Sequence, residues 1–251
     1  MTTFAALHHT DTPLLLPNAW DHASARALAD QGFPAIGTTS LGVAAAAGLP
    51  DGTSDTRDET LRLALALGSA PYLLSVDAED GYSDDPENVG EFARELATVG
   101  AVGINLEDRL GPPALHAAKI EAVKAAAPGL FVNARTDTYW LGDGAGTLDR
   151  LDAYQQAGAD GVFVPGVTCP QEIGALVKHL AVPLNILHTP TGPTLPQLAD
   201  LGVRRISLGS LLYRRALGAA LEAVAEIRAG RTPSGTIPSY DEVDAFSRRS
   251  C

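Results

Sequence analysis

Three acidic residues are the groups of greatest chemical interest in this chain. Asp77 and Glu79 stand in "SVDAEDGY" and Glu107 stands in "GINLEDR", each at or just after the end of an apolar run. Carboxylates that meet without a cation repel one another, and some of them must then stay protonated. Oxygen donors in this number suit Mg²⁺ or Mn²⁺, with water filling the remaining coordination positions. The residues favour a divalent-cation site, and a salt-bridge network with Arg109 and Arg135 is the alternative.

A second group of residues could bind a small anion. Arg135 ends another apolar run, and its guanidinium could hold a carboxylate or a developing enolate through two hydrogen bonds. The segment Thr39-Ser40-Leu41 could offer backbone N–H groups and hydroxyls to a negatively charged ligand. Asn185 and His188 lie on a later run; Asn185 is a further candidate substrate ligand, and His188 is the best-placed histidine.

Alternating elements would position these groups. Strand candidates alternate with amphipathic helical segments along the chain, and glycines stand where four helices would end, at Gly32, Gly100, Gly158 and Gly202. Eight such units in about 250 residues predict an α/β fold, a (β/α)8 TIM barrel with its chemistry at the carboxyl ends of the strands. A doubly wound sheet is the alternative, but no G-x-G-x-x-G motif follows the first strand. The predicted strands are Leu14–Asn18, Ala35–Thr39, Tyr72–Asp77, Gly103–Glu107, Leu130–Arg135, Gly161–Val164, Leu184–Leu187 and Arg205–Leu208.

The chain is expected to form a single domain, with a barrel core at about 14–229 and a C-terminal helical extension at 230–251. The extension is polar and holds a possible short helix at Tyr240–Ser247. The predicted barrel helices are His22–Gln31, Thr56–Leu67, Pro86–Val99, Leu115–Ala126, Leu148–Ala157, Gln171–Leu180, Leu195–Leu201 and Leu212–Ala229.

Composition argues against several classes of function. The formal net charge of −12 disfavours binding to nucleic acid or to an anionic membrane, and no apolar run is long enough to span a bilayer. Two cysteines, Cys169 and Cys251, cannot form a disulfide framework, which fits a reducing cytoplasm. The three lysines all lie in predicted helices and not at strand ends, which argues against a Schiff-base aldolase.

Four motifs together resemble the isocitrate lyase / phosphoenolpyruvate mutase superfamily. They are "PNAWDHASARALADQGFPAIGTTSLGVAAAAGLPDG", "SVDAEDGY", "GINLEDR" and "NARTD", and the resemblance runs from about Leu14 to Arg215. Each motif is modest alone, but four in the right order on the first five predicted strands are specific. The segments "PLNI" and "RRISLGSLLYRRA" are similar to the phosphonomutase-like branch.

The resemblance implies an α/β barrel that binds Mg²⁺ and stabilises an enolate or enolpyruvate-type intermediate of a 2-oxo or 2-hydroxy acid. It implies that Asp77 is the direct metal ligand, and that Glu79, Glu107 and Asp51 hold metal-bound water.

The resemblance also implies how the substrate is bound. The backbone amides of Thr39-Ser40-Leu41 would grip its carboxylate, and Arg135 would bind the oxygens of the intermediate. Members of the superfamily often form tetramers that exchange the last barrel helix, so a homodimer or homotetramer is expected.

The chain departs from the superfamily after the fourth predicted strand. Lyases of the superfamily carry a Lys-Cys-Gly-type loop there, whose cysteine is the acid/base, and mutases place an asparagine in it. Here "EDRLGPPALHAAKIEAV" has neither, and only Arg109 to Ala114 precede the next predicted helix. Without that cysteine or asparagine, isocitrate or methylisocitrate lyase activity is not expected, and phosphoenolpyruvate mutation is disfavoured as well. A short lid excludes water poorly, which suits a hydrolase or decarboxylase that tolerates water, or an enzyme with a different proton donor. Tyr82, His116 and His188 are the candidate proton donors.

These observations lead to three hypotheses of function. The first is an Mg²⁺-dependent lyase or hydrolase that cleaves a C–C bond of a small 2-oxo or 2-hydroxy acid, with Arg135 and Glu107 in the catalytic set. The second is a phosphonomutase-like enzyme that acts on a C–P bond. The third is a degenerate barrel that only binds a diacid, but its mutually repelling carboxylates would then cost stability without a cation.

Overall fold

The computed structural model describes residues 3–246 and places nine strands in that range. All of them run parallel in one sheet, so their carboxyl ends meet at the same rim. The strands are β1 Leu14–Leu16, β2 Asn18–Ala19, β3 Ala35–Thr38, β4 Leu73–Asp77, β5 Ala101–Glu107, β6 Phe131–Arg135, β7 Gly161–Phe163, β8 Leu184–Leu187 and β9 Arg205–Ser207. Their spatial order is β1-β9-β8-β7-β6-β5-β4-β3-β2.

Pro17 separates β1 from β2. Proline has no N–H to donate to a ladder, although the Pro17 carbonyl accepts from the Gly37 N–H at 2.8 Å. β1 pairs with β9, and β2 pairs with β3. The Asn18 side chain spans the break. Its Nδ2 donates to the Thr38 carbonyl at 2.7 Å, and its Oδ1 accepts from the Leu208 N–H at 3.0 Å.

The two short strands act as one bent strand that nearly closes the sheet into a barrel. The predicted (β/α)8 TIM barrel is therefore confirmed, with helices between successive strands. The prediction of an unbroken first strand over Leu14–Asn18 is wrong, because the proline interrupts the ladder.

All eight predicted barrel helices are present with shifts of a few residues at their ends. Within residues 3–246, the helices Ser40–Ala47 and Thr138–Leu141 and a 3₁₀ helix at Ala5–His9 were not predicted. The helix Tyr240–Ala245 matches the predicted C-terminal helix up to Ala245; Ser247 lies outside the described residues. The α-helices are α1 His22–Asp30, α2 Ser40–Ala47, α3 Arg57–Leu67, α4 Pro86–Thr98, α5 Pro113–Ala126, α6 Thr138–Leu141, α7 Thr147–Gln156, α8 Pro170–His179, α9 Leu195–Asp200, α10 Leu211–Arg228 and α11 Tyr240–Ala245.

Helix ends follow the glycine pattern of the sequence. Gly32, Gly100, Gly158 and Gly202 all adopt positive φ just after their helices, as predicted.

In the part of the chain that the structure describes, no helix has both the length and the apolar character needed to span a bilayer.

The buried apolar residues form two clusters. The larger cluster lies between strands and helices and includes Ile36, Leu74 and Ile104. The smaller one closes the barrel interior at the amino ends of the strands, where Phe4 and Phe131 meet edge to face with ring centroids 5.4 Å apart. This smaller cluster, which we call the barrel plug, closes one end of the barrel, and the other end is open.

Candidate active site

A pocket of about 210 Å³ opens at the carboxyl ends of the strands, and we call it the central pocket. Most of the polar groups singled out by the sequence face it. Its walls include Thr39, Ser40, Leu41, Asp51, Asp77, Asn105, Arg135, Phe163, His188, Ser207 and Arg214.

Asp77 lies at the end of β4 beside the start of α2. Its Oδ2 accepts from the Ser40 backbone N–H at 3.2 Å, and its own N–H donates to Thr38 Oγ1 at 2.8 Å. Thr39 is the N-cap residue of α2, so the positive end of this helix points toward the carboxylate. Burial raises the pKa of Asp77, and the charge of Arg135 and the Ser40 hydrogen bond oppose the rise.

Arg135 ends β6 and is paired with two carboxylates. Its Nη1 lies 2.8 Å from Glu107 Oε2, and its Nε lies 2.6 Å from Asp137 Oδ1. Burial disfavours the guanidinium charge, but the carboxylates of Glu107, Asp137 and Asp77 outweigh it and raise the pKa of Arg135. The arginine is therefore a fixed positive charge at the edge of the central pocket.

Glu107 is a second buried carboxyl of the site whose pKa is raised. Burial raises its pKa to about 8, although Arg135 opposes the rise, and the charges of Asp137, Asp77 and Glu79 add to it. Asp137 was not assigned a role from the sequence. Its position two residues after Arg135 in "NARTD" is the signal that could have found it.

Glu79 faces a second cavity, of about 340 Å³, which we call the carboxylate pocket. Asp51, Glu79, Glu107 and Asp137 all line it. Glu79 accepts hydrogen bonds from the Thr56 hydroxyl and, at 3.4 Å, from the Ser54 N–H. Burial raises the pKa of Glu79, the Thr56 hydrogen bond opposes this, and the nearby charges of Asp77 and Asp51 add to the rise.

This donor set fits a hard divalent cation held largely through water. Among residues 3–246, no three carboxylate, imidazole or thiolate groups meet closely enough to ligate one ion directly. The charge of Asp77 nevertheless raises the pKa values of Glu79 and Glu107, and the charge of Glu79 adds to the rise at Glu107. A cation at Asp77 would relieve that repulsion, with Asp51, Glu79 and Glu107 reaching it through water, as Mg²⁺ permits.

The loop after β5 is short and tied down. The α5 helix begins at Pro113 and not at the predicted Leu115, so only residues 108–112 connect it to β5. Asp108 accepts from the Tyr154 hydroxyl at 2.7 Å and from Arg150 at 2.9 Å. Arg150 also donates to the Gly111 carbonyl at 2.9 Å. These bonds fix the loop, whose residues do not line the central pocket, although Arg109 lines the carboxylate pocket.

The three candidate proton donors do not lie together. Tyr82 and His116 line a separate cavity of about 490 Å³ beside the loop, which we call the side pocket. The Tyr82 hydroxyl is hydrogen-bonded to Thr60 at 2.9 Å, and burial raises its pKa. Burial lowers the pKa of His116 to about 4. Of the three, His188 lines the central pocket with Asp77, and its buried Nδ1 has no hydrogen-bond partner among the residues that the structure describes.

Asn185 lies deeper than the predicted substrate ligands. Its Nδ2 donates to Ser207 Oγ at 3.0 Å, and it is buried in the barrel interior below the pocket wall. The sequence did not single out Asn105, Arg205 or Ser207. The polar residues within otherwise apolar strands were the signal that could have found them.

A parallel α/β barrel with carboxylates, an arginine and a helix N-terminus at its open rim defines a class of barrel enzymes acting on small anions. The family model described as phosphoenolpyruvate phosphomutase matches residues 4–228. The chain belongs to this family, within the isocitrate lyase / phosphoenolpyruvate mutase superfamily.

Relatives and solved structures agree with this family. An uncharacterized protein of Mycobacterium tuberculosis is 45% identical over 250 residues, covering 97% of this chain and 95% of that protein. An oxaloacetate decarboxylase of Pseudomonas fluorescens is 32% identical over 244 residues, covering 88% of this chain and 82% of the relative. A Burkholderia cenocepacia structure described as a lyase/mutase superposes with a TM-score of 0.89 at 36% identity, covering 98% and 95% of the two chains.

Proposed function

We propose that this protein is an Mg²⁺-dependent lyase that cleaves a C–C bond of a small 2-oxo or 2-hydroxy dicarboxylic acid through an enolate. The observation that carries the proposal is the placement of Asp77 and Arg135 on the same pocket, beside the N-terminus of α2. Asp77, with Asp51, Glu79 and Glu107, would hold the cation. The cation would supply Lewis-acid polarisation of the 2-oxo group.

The chain's own residues account for binding and charge stabilisation. The amides at the start of α2 suit the substrate carboxylate, and Arg135 stabilises the negative charge that develops on the 2-oxo oxygen. In a decarboxylation, the bond between the methylene carbon and the distal carboxylate breaks and carbon dioxide leaves. The bonding electron pair becomes the enolate, which then takes a proton at the methylene carbon.

The tied-down loop favours a reaction that tolerates water. Residues 108–112 are held by Asp108 and Arg150, and the side pocket beside them is open to solvent. An enolate that must be captured by phosphorus or by a second carbonyl needs a dry site, whereas an enolate quenched by a proton does not. We propose His188 as the group that passes this proton, because it shares the central pocket with Asp77 and Arg135.

Turnover of oxaloacetate and of a panel of 2-oxo and 2-hydroxy diacids, followed by NMR with Mg²⁺, tests the proposal. Oxaloacetate comes first because a relative that covers most of this chain is a decarboxylase of that acid. Asp77→Asn should lower turnover by about 100-fold or more. Asp58→Asn, on the exposed face of α3, is the matched control and should leave it unchanged.

The rate without enzyme is subtracted, because Mg²⁺ alone promotes decarboxylation. If the wild-type protein is no faster than Asp77→Asn on every acid of the panel, the lyase proposal is wrong. The degenerate barrel then becomes the better account.

A C–P reaction is the second candidate, favoured by the 36% identity to a structure described as a lyase/mutase. Phosphorus NMR of a phosphonopyruvate solution separates the two. Appearance of a phosphate-ester signal with the enzyme would assign mutase chemistry, and an unchanged spectrum leaves the lyase.

A further inference from the structure

A buried arginine lies inside the barrel beneath the central pocket. Arg205 of β9 is 1% exposed, and no carboxylate within residues 3–246 forms an ion pair with it. Burial lowers its pKa to about 9, and the negative charge of Asp77 opposes the shift. The guanidinium is therefore charged at neutral pH although its partners are neutral groups.

Arg205 fixes which way the Asn105 amide points. Its Nη2 donates to Asn105 Oδ1 at 3.0 Å, and Asn133 Nδ2 donates to the same oxygen at 2.8 Å. A guanidinium has no acceptor, so the atom facing it must be the amide oxygen. Asn105 lines the central pocket, and its free Nδ2 is left to donate there.

Ser207 is oriented in the same manner. Its Oγ lies 3.3 Å from Arg205 Nε and 3.0 Å from Asn185 Nδ2, and both of these groups donate to it. With both lone pairs engaged, the hydroxyl proton is free to donate elsewhere. Ser207 also lines the central pocket.

We propose that Asn105 and Ser207 form a donor floor that binds a carboxylate or enolate oxygen of the ligand, and that Arg205 is the positioning residue that turns both donors toward it. This inference rests on the proposed function, because it names the subsite that takes the substrate's oxygen. Asn105 is the cross-strand neighbour of Asp77, so the donor floor adjoins the residue proposed to hold the cation.

The barrel plug strengthens these hydrogen bonds. The Phe4 ring lies beneath Arg205, with its centroid 5.9 Å from the guanidinium carbon. Apolar cover on that side lowers the local dielectric, which strengthens the charge-assisted hydrogen bonds that Arg205 donates through Nε and Nη2. Among the described residues, Arg205 Nη1 and Asn185 Oδ1 have no hydrogen-bond partner. Because the Phe4 side is covered, the free donors, Asn105 Nδ2 and the Ser207 hydroxyl, find a partner on the side of the central pocket.

Titration calorimetry of oxalate, a planar enolate mimic, at saturating Mg²⁺ tests the donor floor. Ser207→Ala removes one neutral donor and should weaken oxalate binding about tenfold. Arg205→Lys should weaken it more, because one ammonium cannot hold Asn105 and Ser207 together. Ser75→Ala is the matched control, since the buried Ser75 hydroxyl has no hydrogen-bond partner in the described part of the chain. The oxalate affinity of this variant should stay within about twofold of the wild-type value.

The outcomes separate the two proposals. The donor floor is supported if Ser207→Ala binds oxalate more weakly than the wild-type protein while Ser75→Ala binds it equally well. These two variants are sufficient for the test if Arg205→Lys does not fold. If the wild-type protein binds oxalate and Ser207→Ala does not weaken that binding, the donor floor is wrong and the lyase proposal stands. If the wild-type protein does not bind oxalate, the lyase proposal and the donor floor both fail. Circular dichroism melts confirm that each variant is folded.

Discussion

His116 is buried against the Tyr154 ring, and neither of its ring nitrogens has a hydrogen-bond partner among residues 3–246. Its pKa falls from 6.5 to about 4 on folding, so between these pH values the unfolded chain binds a proton that the folded chain does not. The contribution of a neutral His116 to stability is therefore complete above pH 6.5 and is lost as the pH falls toward 4.

His116→Leu should remove this acid sensitivity. As the pH falls below 6.5, the wild-type protein should lose unfolding free energy that the variant keeps. The variant should therefore gain on the wild type by up to about 1.4 kcal/mol per pH unit. Urea unfolding at a series of pH values measures it, with the same replacement of the exposed His9 as the control. A constant difference across the range would contradict the burial of a neutral imidazole.

Part of the site was predictable at the level of single residues. The sequence placed Asp77, Ser40 and Arg135 at the carboxyl ends of predicted parallel strands, and in the structure all three line the central pocket. Their roles stay a prediction. The sequence could not predict Arg205. Arg204 and Arg205 are adjacent, and only the strand register decides that the first is exposed and the second is buried.

At the scale of elements, the barrel plug depends on a residue without a side chain. A Cβ on Gly103 of β5 would lie 2.7 Å from the Phe4 ring. Gly103→Ala should therefore displace Phe4 and cost about 1–3 kcal/mol of unfolding free energy, as overpacking does in other cores. Denaturant unfolding measures the loss.

A double-mutant cycle gives this prediction its control. Phe4→Ala removes the ring that the new methyl group would meet, so Gly103→Ala should cost much less in that background. Additive losses from the two changes would show that the plug does not limit the space at Gly103.

The elements missed from the sequence were missed for a physical reason. α2 runs through "SLGVAAAA", where apolar and small residues occupy every face, so it has no amphipathic period to detect. α6 is a single turn of four residues. The break at Pro17 was readable in principle, since a proline cannot donate to a ladder, but a continuous apolar run concealed it.

At the scale of the whole molecule, α10 presents an uncovered apolar face. Leu217, Leu221, Val224 and Ile227 recur at helical spacing, all of them are more than half exposed, and no residue of α10 is buried in the single chain. Exposed apolar stripes of this length mark an interface. We propose that this face packs against a second copy, as the expected homodimer or homotetramer requires.

Light scattering after gel filtration tests the assembly. The wild-type protein should elute as a dimer or tetramer, and Leu221→Glu should elute as a monomer. Leu65→Glu is a close control, because Leu65 is 63% exposed and Leu221 is 64% exposed, but Leu65 lies on α3 outside the apolar face. A monomeric wild-type protein would contradict the interface.

The closure of the barrel by pairing of β1 with β9 has a consequence for how the protein folds during its synthesis. The first strand cannot complete its ladder until Arg205–Ser207 has been synthesised, because β9 is its partner. The Leu208 N–H reaches Asn18 across 190 residues of chain. A nascent chain on the ribosome therefore carries two open sheet edges for nearly the whole of translation, and such edges pair readily with other chains. These edges stay unprotected until β9 emerges and pairs with β1.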